Sequence, residues 1–89
     1  MKKVINASSK TPVPQLASSI VHSLEDCSNL EVRAMGAGAV SQAYKAITVA
    51  RSLIASKGKD LLIRPGFDVT KDRDDGSEKT VMVFGIVIN

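Results

Sequence analysis

The sequence contains little of what disulfides, metal sites and base-stacking surfaces require. It has one cysteine, Cys27, one histidine, His22, and no tryptophan. A single cysteine excludes an internal disulfide and a cysteine-cluster metal site, and one histidine argues against zinc. The three aromatic residues, Tyr44, Phe67 and Phe84, are too few for a base-stacking platform, and we expect both phenylalanines in the core. Cys27 is expected to be a buried, unreactive thiol, and neither a metal nor a cofactor is predicted.

Long apolar runs are also lacking. No stretch approaches the ~20 apolar residues of a membrane-spanning helix, and Lys2 and Lys3 lead into no signal-peptide core. We therefore predict a cytoplasmic protein with no membrane partner. The 89 residues suffice for one domain, residues 1–89, with a small core. Because association would bury more surface, we expect a homodimer or a tetramer.

Charge is unevenly distributed along the chain. Residues 1–64 contain nine basic and four acidic residues, whereas residues 65–89 contain three basic and five acidic ones. The first part therefore has a net charge of +5 and the second a net charge of −2. A basic body suggests an anionic partner, although a solvated surface explains the same distribution.

The spacing of apolar residues predicts six secondary-structure elements. Strands are expected at 4–7, 30–35, 60–67 and 80–88, and helices at 15–27 and 39–54, with Gly58 ending the second helix. The polar stretch 69–79 is predicted to be a connection with its turn at Asp75-Gly76. The order is β-α-β-α-β-β. We predict an α/β protein of the two-layer α+β type, with a four-stranded mixed sheet and both helices on one face.

Gly36 and Gly38 precede the second predicted helix and raise the question of a phosphate loop. No lysine follows them in P-loop register, and Ser41 occupies the place of the last glycine of a dinucleotide fingerprint. We favour a turn with close packing between strand and helix. The N–H groups of residues 37–40 could still meet a phosphate of nucleic acid.

No catalytic constellation is found. Ser18, His22 and Asp26 recur at intervals of four along the first helix, but a straight helix face provides neither a nucleophile elbow nor an oxyanion hole. We interpret them as solvent-exposed polar residues and predict that the protein is not an enzyme.

Basic residues lie on predicted connections and helix surfaces. Lys10 lies in the first βα loop, and Lys45 and Arg51 point away from the apolar stripe of the second helix. A further group, Lys57, Lys59 and Arg64, lies near the third strand. Such residues give salt-dependent, largely sequence-independent binding to phosphates.

Four short segments of the sequence resemble one protein family. MGAGAVSQAYKAITVAR at 35–51, DLLIRPGF at 60–67, EKT at 78–80 and SSKTP at 8–12 are similar to the stage V sporulation protein S family. The resemblance extends from about Ala7 to Val87. That family is small, bacterial and related in fold to the Alba chromatin proteins, which share the β-α-β-α-β-β order. The resemblance implies a dimeric nucleic-acid-binding or regulatory protein connected with sporulation or development.

The resemblance also implies a binding surface. Lys10 matches the loop lysine with which Alba proteins approach the phosphate backbone, and Arg51 matches a basic position late in the second helix. The chain differs from the Alba pattern at Gly36 and Gly38, where arginines are typical, and at Gln42, where a lysine is typical. Its hairpin is acidic where the Alba hairpin is often basic. We predict that the nucleic-acid-binding residues are Ser8, Ser9, Lys10, Thr11, Gly36, Gly38, Ser41, Lys45 and Arg51.

Three functional interpretations fit the sequence. The first is a non-enzymatic regulator that binds DNA or RNA weakly and without sequence preference. The second is a protein-interaction module that keeps the fold, has lost nucleic-acid binding, and uses a sheet edge or the acidic hairpin. The third, a small enzyme or ligand carrier, is disfavoured because no acid, base or nucleophile pair is placed for it.

Overall fold

The described structure, a computed structural model, covers residues 2–27 and 29–89. Its elements are β1 (Lys2–Ala7), α1 (Val13–Asp26), β2 (Asn29–Met35), α2 (Ala37–Ala55), β3 (Leu61–Lys71) and β4 (Glu78–Ile88). This order confirms the predicted β-α-β-α-β-β arrangement. Pro14 lies in the first turn of α1, where a helix leaves its N–H groups unpaired and the missing donor of proline costs nothing.

The four strands form one mixed sheet in the order β1-β2-β4-β3. β1 and β2 run parallel and are connected through α1, whereas β4 is antiparallel to both β2 and β3. The predicted four-stranded mixed sheet is therefore confirmed. β1 and β3 are the two edge strands, and β3 carries Pro65, which provides no backbone donor for another strand.

Both helices pack on one face of this sheet. Every second residue of β2 is buried, namely Leu30, Val32 and Ala34, and these side chains share one apolar core with both helices. Ile20 of α1 is fully buried, which stabilises the fold by about 1.5–3 kcal/mol. The helix α2 buries a stripe of small residues that lets it approach closely: Ala39, Ala43, Ala46 and Ala50. Cys27 is buried, as the sequence predicts.

β3 and β4 form a hairpin that extends beyond the rest of the sheet. Their pairing runs from Leu61 opposite Ile88 to Lys71 opposite Glu78, whereas β2 stops pairing with β4 at Met35. We call the protruding part, residues 69–80, the hairpin arm. The predicted connection over residues 69–79 is wrong at both ends, because the strands continue to 71 and resume at 78. A strand with both faces exposed to solvent can be polar along its whole length. The polar residues of the hairpin arm therefore indicate exposure and not a loop.

The position of Phe67 also contradicts the sequence-based expectation. Its side chain is 71% exposed, whereas Phe84 is half-buried against the core. Phe67 lies opposite Met82, which in turn lies opposite Ala34 near the end of β2. The chain leaves β2 and starts α2 just beyond this row, at the edge of the helix layer, and Phe67 lies on the outermost strand. The apolar pattern of β3 therefore continues beyond the core that would bury it.

Candidate nucleic-acid interface

The first βα loop, residues 8–12, is a compact turn held by its own hydroxyl groups. The N–H of Ser8 donates to Oγ1 of Thr11 at 3.0 Å, and the two hydroxyl oxygens are 2.9 Å apart. The N–H of Lys10 donates to Oγ of Ser8 at 3.2 Å, and the N–H of Thr11 donates to the carbonyl of Ser8 at 3.1 Å. These bonds occupy most of the loop's polar groups and fix its backbone.

Two side chains of this loop keep free donors. Lys10 is exposed, and no carboxylate of residues 2–27 or 29–89 lies within 4.0 Å of its ammonium group. Ser9 is also exposed, and its hydroxyl group has no partner among the hydrogen bonds of the described residues. The loop therefore presents one cation and one neutral donor to solvent. The hydroxyl groups of Ser8 and Thr11 are partly occupied, because they form one hydrogen bond with each other.

The start of α2 lies next to this loop and has no side-chain cap. Gly36 precedes the helix with a φ of 89°, a conformation that strongly favours glycine. The first helical hydrogen bond runs from the N–H of Val40 to the carbonyl of Gly36, at 3.0 Å. The three N–H groups before Val40 have no partner within the helix, and no acidic side chain lies in the first turn. This end of α2 therefore carries partial positive charge.

Gly38 and Gln42 join the loop to α2. A Cβ atom added at Gly38 would lie 2.8 Å from Cβ of Ser9, so only glycine allows this approach. One turn further along the helix, Nε2 of Gln42 donates to the carbonyl of Thr11 at 2.8 Å. The sequence predicted that Gly38 would pack helix against strand, whereas the structure shows that Gly38 packs helix against loop. The contribution of Gln42 was missed, and its position one turn after Gly38 is the only signal in the sequence.

The structure brings most of the predicted site residues together and separates one. Ser41 and Lys45 are exposed on the same side of α2 as Gly38, and Lys45 lies about 10 Å along the helix from it. Arg51 lies about 20 Å from Gly38 and is turned away by more than a third of a revolution. Nε of Arg51 donates to Oδ1 of Asp60 at 3.0 Å. This bond raises the pKa of Arg51 and lowers the pKa of Asp60.

The hairpin arm presents charge of mixed sign. Residues 69–80 contain four acidic and three basic side chains. Two of the carboxylates fold back onto the turn: Oδ1 of Asp72 accepts the N–H of Asp74, and Oδ1 of Asp75 accepts the N–H of Ser77, both at 2.8 Å. Hydrogen bonds from Ser77 lower the pKa of Asp75. The connection between β3 and β4 runs from residue 72 to residue 77, and the N–H of Gly76 donates to the carbonyl of Asp72 at 3.0 Å. The predicted turn at Asp75-Gly76 is therefore only the second half of this longer connection, and Gly76 has a φ of 73°.

An ion-pair network connects three strands on the sheet face opposite the helices. Nη2 of Arg33 donates to Oδ2 of Asp68 at 2.9 Å, and Nη1 of Arg33 lies 3.5 Å from Oε2 of Glu31. Nζ of Lys2 lies 3.0 Å from the other oxygen of Glu31. The hydrogen bond with Arg33 lowers the pKa of Asp68 and raises that of Arg33. The network thereby connects the base of the hairpin arm to the centre of the sheet.

The opposite end of the sheet carries other charged residues. Lys59 and Arg64 line an open cleft of 890 Å³ together with the C-terminal end of α1 and the last residues of β4. None of the predicted nucleic-acid-binding residues lines this cleft. In residues 2–27 and 29–89, no group of three or more histidine, cysteine, aspartate or glutamate side chains could hold a metal ion. No helix in the described part of the chain is long and apolar enough to cross a membrane.

The fold is similar to that of Alba from Thermoplasma volcanium. The TM-score is 0.66, and the similarity covers 94% of this chain and 98% of that chain. The two sequences are 14% identical, so this similarity shows the fold alone. By its architecture the chain is an Alba-like α+β protein.

The family follows from the sequence. The model of the family described as Stage V sporulation protein S matches residues 3–89, and the chain belongs to this family. The resemblance that the strings in the sequence indicate is thereby confirmed.

Proposed function

We propose that this protein is a non-enzymatic, nucleic-acid-binding regulator, connected with sporulation or development and acting in the cytoplasm as a single domain of residues 1–89. It binds the phosphate backbone of DNA or RNA weakly and without sequence preference. The observation that carries this proposal is the joining of the Lys10 loop to the uncapped start of α2. Together they form one surface, which we call the loop–α2 surface: Ser8, Ser9, Lys10, Thr11, Gly36, Gly38, Ser41 and Lys45.

The chemistry of the loop–α2 surface suits a phosphate group. The Lys10 ammonium group supplies a full positive charge, and the Ser9 hydroxyl group is a neutral donor beside it. The unpaired N–H groups at the start of α2 add donors and the positive end of the helix dipole. None of these groups reads a base edge, so the contact carries no sequence information. Lys45 extends the same surface by a second cation one to two turns along α2.

A titration across salt concentrations tests this proposal. With about two to four phosphate contacts per dimer, the logarithm of the binding constant should fall with the logarithm of salt at a slope near −2 to −4. Lys10→Gln should weaken binding to DNA and RNA of every sequence and make the slope shallower by about one per subunit engaged.

Lys59→Gln is the matched control, because it removes the same charge at the opposite end of the sheet. It should leave affinity and slope near those of the wild type. The proposal fails if Lys10→Gln binds like the wild type, or if the wild type does not bind at low salt.

We further propose that the protein forms a homodimer through the side of α2 that borders β3. Tyr44 is 61% exposed there, and a cleft of 390 Å³ runs between it and the start of β3. A stable interface buries about 800 Å² per partner, which is roughly one seventh of the 5778 Å² surface. The ion pair between Arg51 and Asp60 already neutralises the charges at the edge of this cleft. A second copy could therefore cover the cleft without burying an unpaired charge.

Light scattering at tens of micromolar should give a dimer mass for the wild type. Tyr44→Glu should shift the protein towards the monomer. Leu53→Glu is the control, because Leu53 is also exposed on α2 but lies half a revolution away from Tyr44. A monomeric wild type, or equal effects of the two substitutions, would contradict this interface.

One observation favours the protein-interaction module as the second candidate function. Phe67 and Met82 lie opposite each other at the base of the hairpin arm, and Val69 follows on the same face; all three are exposed. An apolar strip on a net acidic segment suits a basic, partly apolar protein partner. If the wild type binds neither DNA nor RNA at low salt, this function takes the place of the first.

A further inference from the structure

The first βα loop, which lies between β1 and α1, contacts α2 at two points. Its internal hydrogen bonds fix its shape but not its position relative to the helix. Within the described residues, a single hydrogen bond connects residues 8–11 to α2, and it runs from Nε2 of Gln42 to the carbonyl of Thr11. The absence of a side chain at Gly38 sets the closest distance at which Ser9 can approach.

We propose that Gln42 and Gly38 are positioning residues for nucleic-acid binding, which rests on the function proposed above. They set where Lys10 and Ser9 stand relative to the unpaired N–H groups of α2. Neither residue needs to touch the nucleic acid for this effect. We call the two contacts, Gln42 with Thr11 and Gly38 with Ser9, the loop latch.

The loop latch matters because one phosphate must contact the loop and the start of α2 at the same time. A hydrogen bond to one phosphate oxygen requires a donor within about 3 Å, so a shift of the loop by an ångström or more removes the simultaneous contact. An ordered loop also loses less conformational freedom when it binds. The latch thus provides pre-organisation without adding charge to the surface.

The two contacts can be broken separately. Gln42→Met keeps the length of the side chain and removes the donor, so the Thr11 carbonyl loses its partner. Gly38→Ala places a methyl group 2.8 Å from Cβ of Ser9 and must displace the loop or the helix end. Neither substitution changes the net charge. A loss of affinity therefore cannot arise from a lost charge.

We expect Gln42→Met to weaken binding to a DNA or RNA oligonucleotide by about fivefold, the loss of a single hydrogen bond of ordinary strength. Its salt slope should stay that of the wild type, because no phosphate-binding cation is lost. Lys10→Gln, by contrast, changes both affinity and slope. This difference separates a residue that positions the loop from one that contacts phosphate.

Gly38→Ala is tested with Ser9→Gly as its partner substitution. Removing Cβ of Ser9 removes the clash, since the next atom, Cα of Ser9, would lie at 3.8 Å from the new methyl group. Gly38→Ala should therefore weaken binding in the wild-type background and have little effect in the Ser9→Gly background. Equal losses in both backgrounds would overturn the role assigned to Gly38.

Amide hydrogen exchange of residues 8–11, measured without nucleic acid, tests the latch independently of binding. Exchange should accelerate in Gln42→Met and Gly38→Ala while the melting temperature stays within a few degrees of the wild-type value. Unchanged exchange together with unchanged affinity in Gln42→Met would overturn the latch. Faster exchange in a protein whose wild type binds no nucleic acid would support the latch as a structural device and contradict the proposed function.

Discussion

Two regions leave the same end of the sheet, and their construction differs. The first βα loop follows β1 and is fixed to α2 by contacts more than 25 residues apart in sequence. The hairpin arm continues β3 and β4 and is held by pairing between these two strands and by its own turn. The loop presents Lys10, which forms no ion pair within residues 2–27 and 29–89, whereas the arm contains four acidic and three basic residues. A polyanion approaching this end should therefore favour the loop over the arm.

The largest expected difference in stability is between a substitution in the packed body and one at the base of the hairpin arm. Ile20→Ala removes a fully buried side chain and should lower the free energy of unfolding by about 2–5 kcal/mol. Phe67→Ala, although it deletes a larger side chain, should change it by about 0.5 kcal/mol or less, because Phe67 is mostly exposed. Chemical denaturation measures both. A cost for Phe67→Ala close to that for Ile20→Ala would show that a partner or a second copy buries the base of the arm.

The next largest effect is on nucleic-acid affinity, when the charges of the loop and of the hairpin arm are changed. Lys10→Glu should weaken nucleic-acid binding roughly tenfold, because one charge-assisted contact is replaced by repulsion. Asp74→Asn combined with Asp75→Asn should strengthen binding by a smaller factor. Asparagine keeps the oxygen that accepts the N–H of Ser77, so the turn can persist without its charge. Mobility-shift titrations at two salt concentrations measure both changes. If the double substitution has no effect, the arm lies away from the phosphate backbone.

The same comparison explains what the sequence could predict. Alternation along β2 and the stripe from Leu16 to Ile20 on α1 reflect burial against a common core, so periodicity alone indicates the elements and their layers. The arm has no such core. Its polar residues resemble a loop, and its one aromatic neighbour, Phe67, resembles a core residue. Local pattern therefore predicted the body correctly and failed where strands extend into solvent.

The sequence singles out the residues of the predicted site but not the contacts between them. Lys10 and the glycines stand out in the sequence because of their chemistry and their place before a helix. The contacts of Ser9 with Gly38 and of Gln42 with Thr11 join positions about 30 residues apart, and no periodicity encodes them. The ion pair of Arg51 with Asp60 also depends on the tertiary structure, because Asp60 directly precedes β3. Arg51, which the sequence predicts to bind phosphate, therefore lies beside a carboxylate.

A smaller effect is expected on the melting temperature when the ion pair between Asp68 and Arg33, at the base of the hairpin arm, is removed. The pKa of Asp68 is lowered in the folded protein, chiefly by the hydrogen bond from Arg33. A lowered folded pKa stabilises the protein above the unfolded pKa of about 3.9, and this contribution disappears as the pH falls through the folded pKa. Asp68→Asn should therefore lower the melting temperature at pH 7 and match the wild type more closely as the pH falls below about 4.

Thermal melts from pH 7 downward measure this difference. Asp74→Asn is the control, because Asp74 forms no ion pair within residues 2–27 and 29–89. A difference between Asp68→Asn and the wild type that stays constant across the pH range would mean that the ionised form of Asp68 does not hold the arm.

The smallest expected effect belongs to Arg51. Its ion pair with Asp60 is exposed, since the two side chains keep 60% and 47% of their accessible surface. Exposed pairs contribute little because solvent screens them and because ordering two side chains costs entropy. Arg51→Gln should therefore move the melting temperature by about a degree or less. Its effect on nucleic-acid binding should also be small, because Arg51 faces away from the loop–α2 surface. A loss of affinity as large as that of Lys10→Gln would extend the binding surface along α2 towards β3 and away from the hairpin arm.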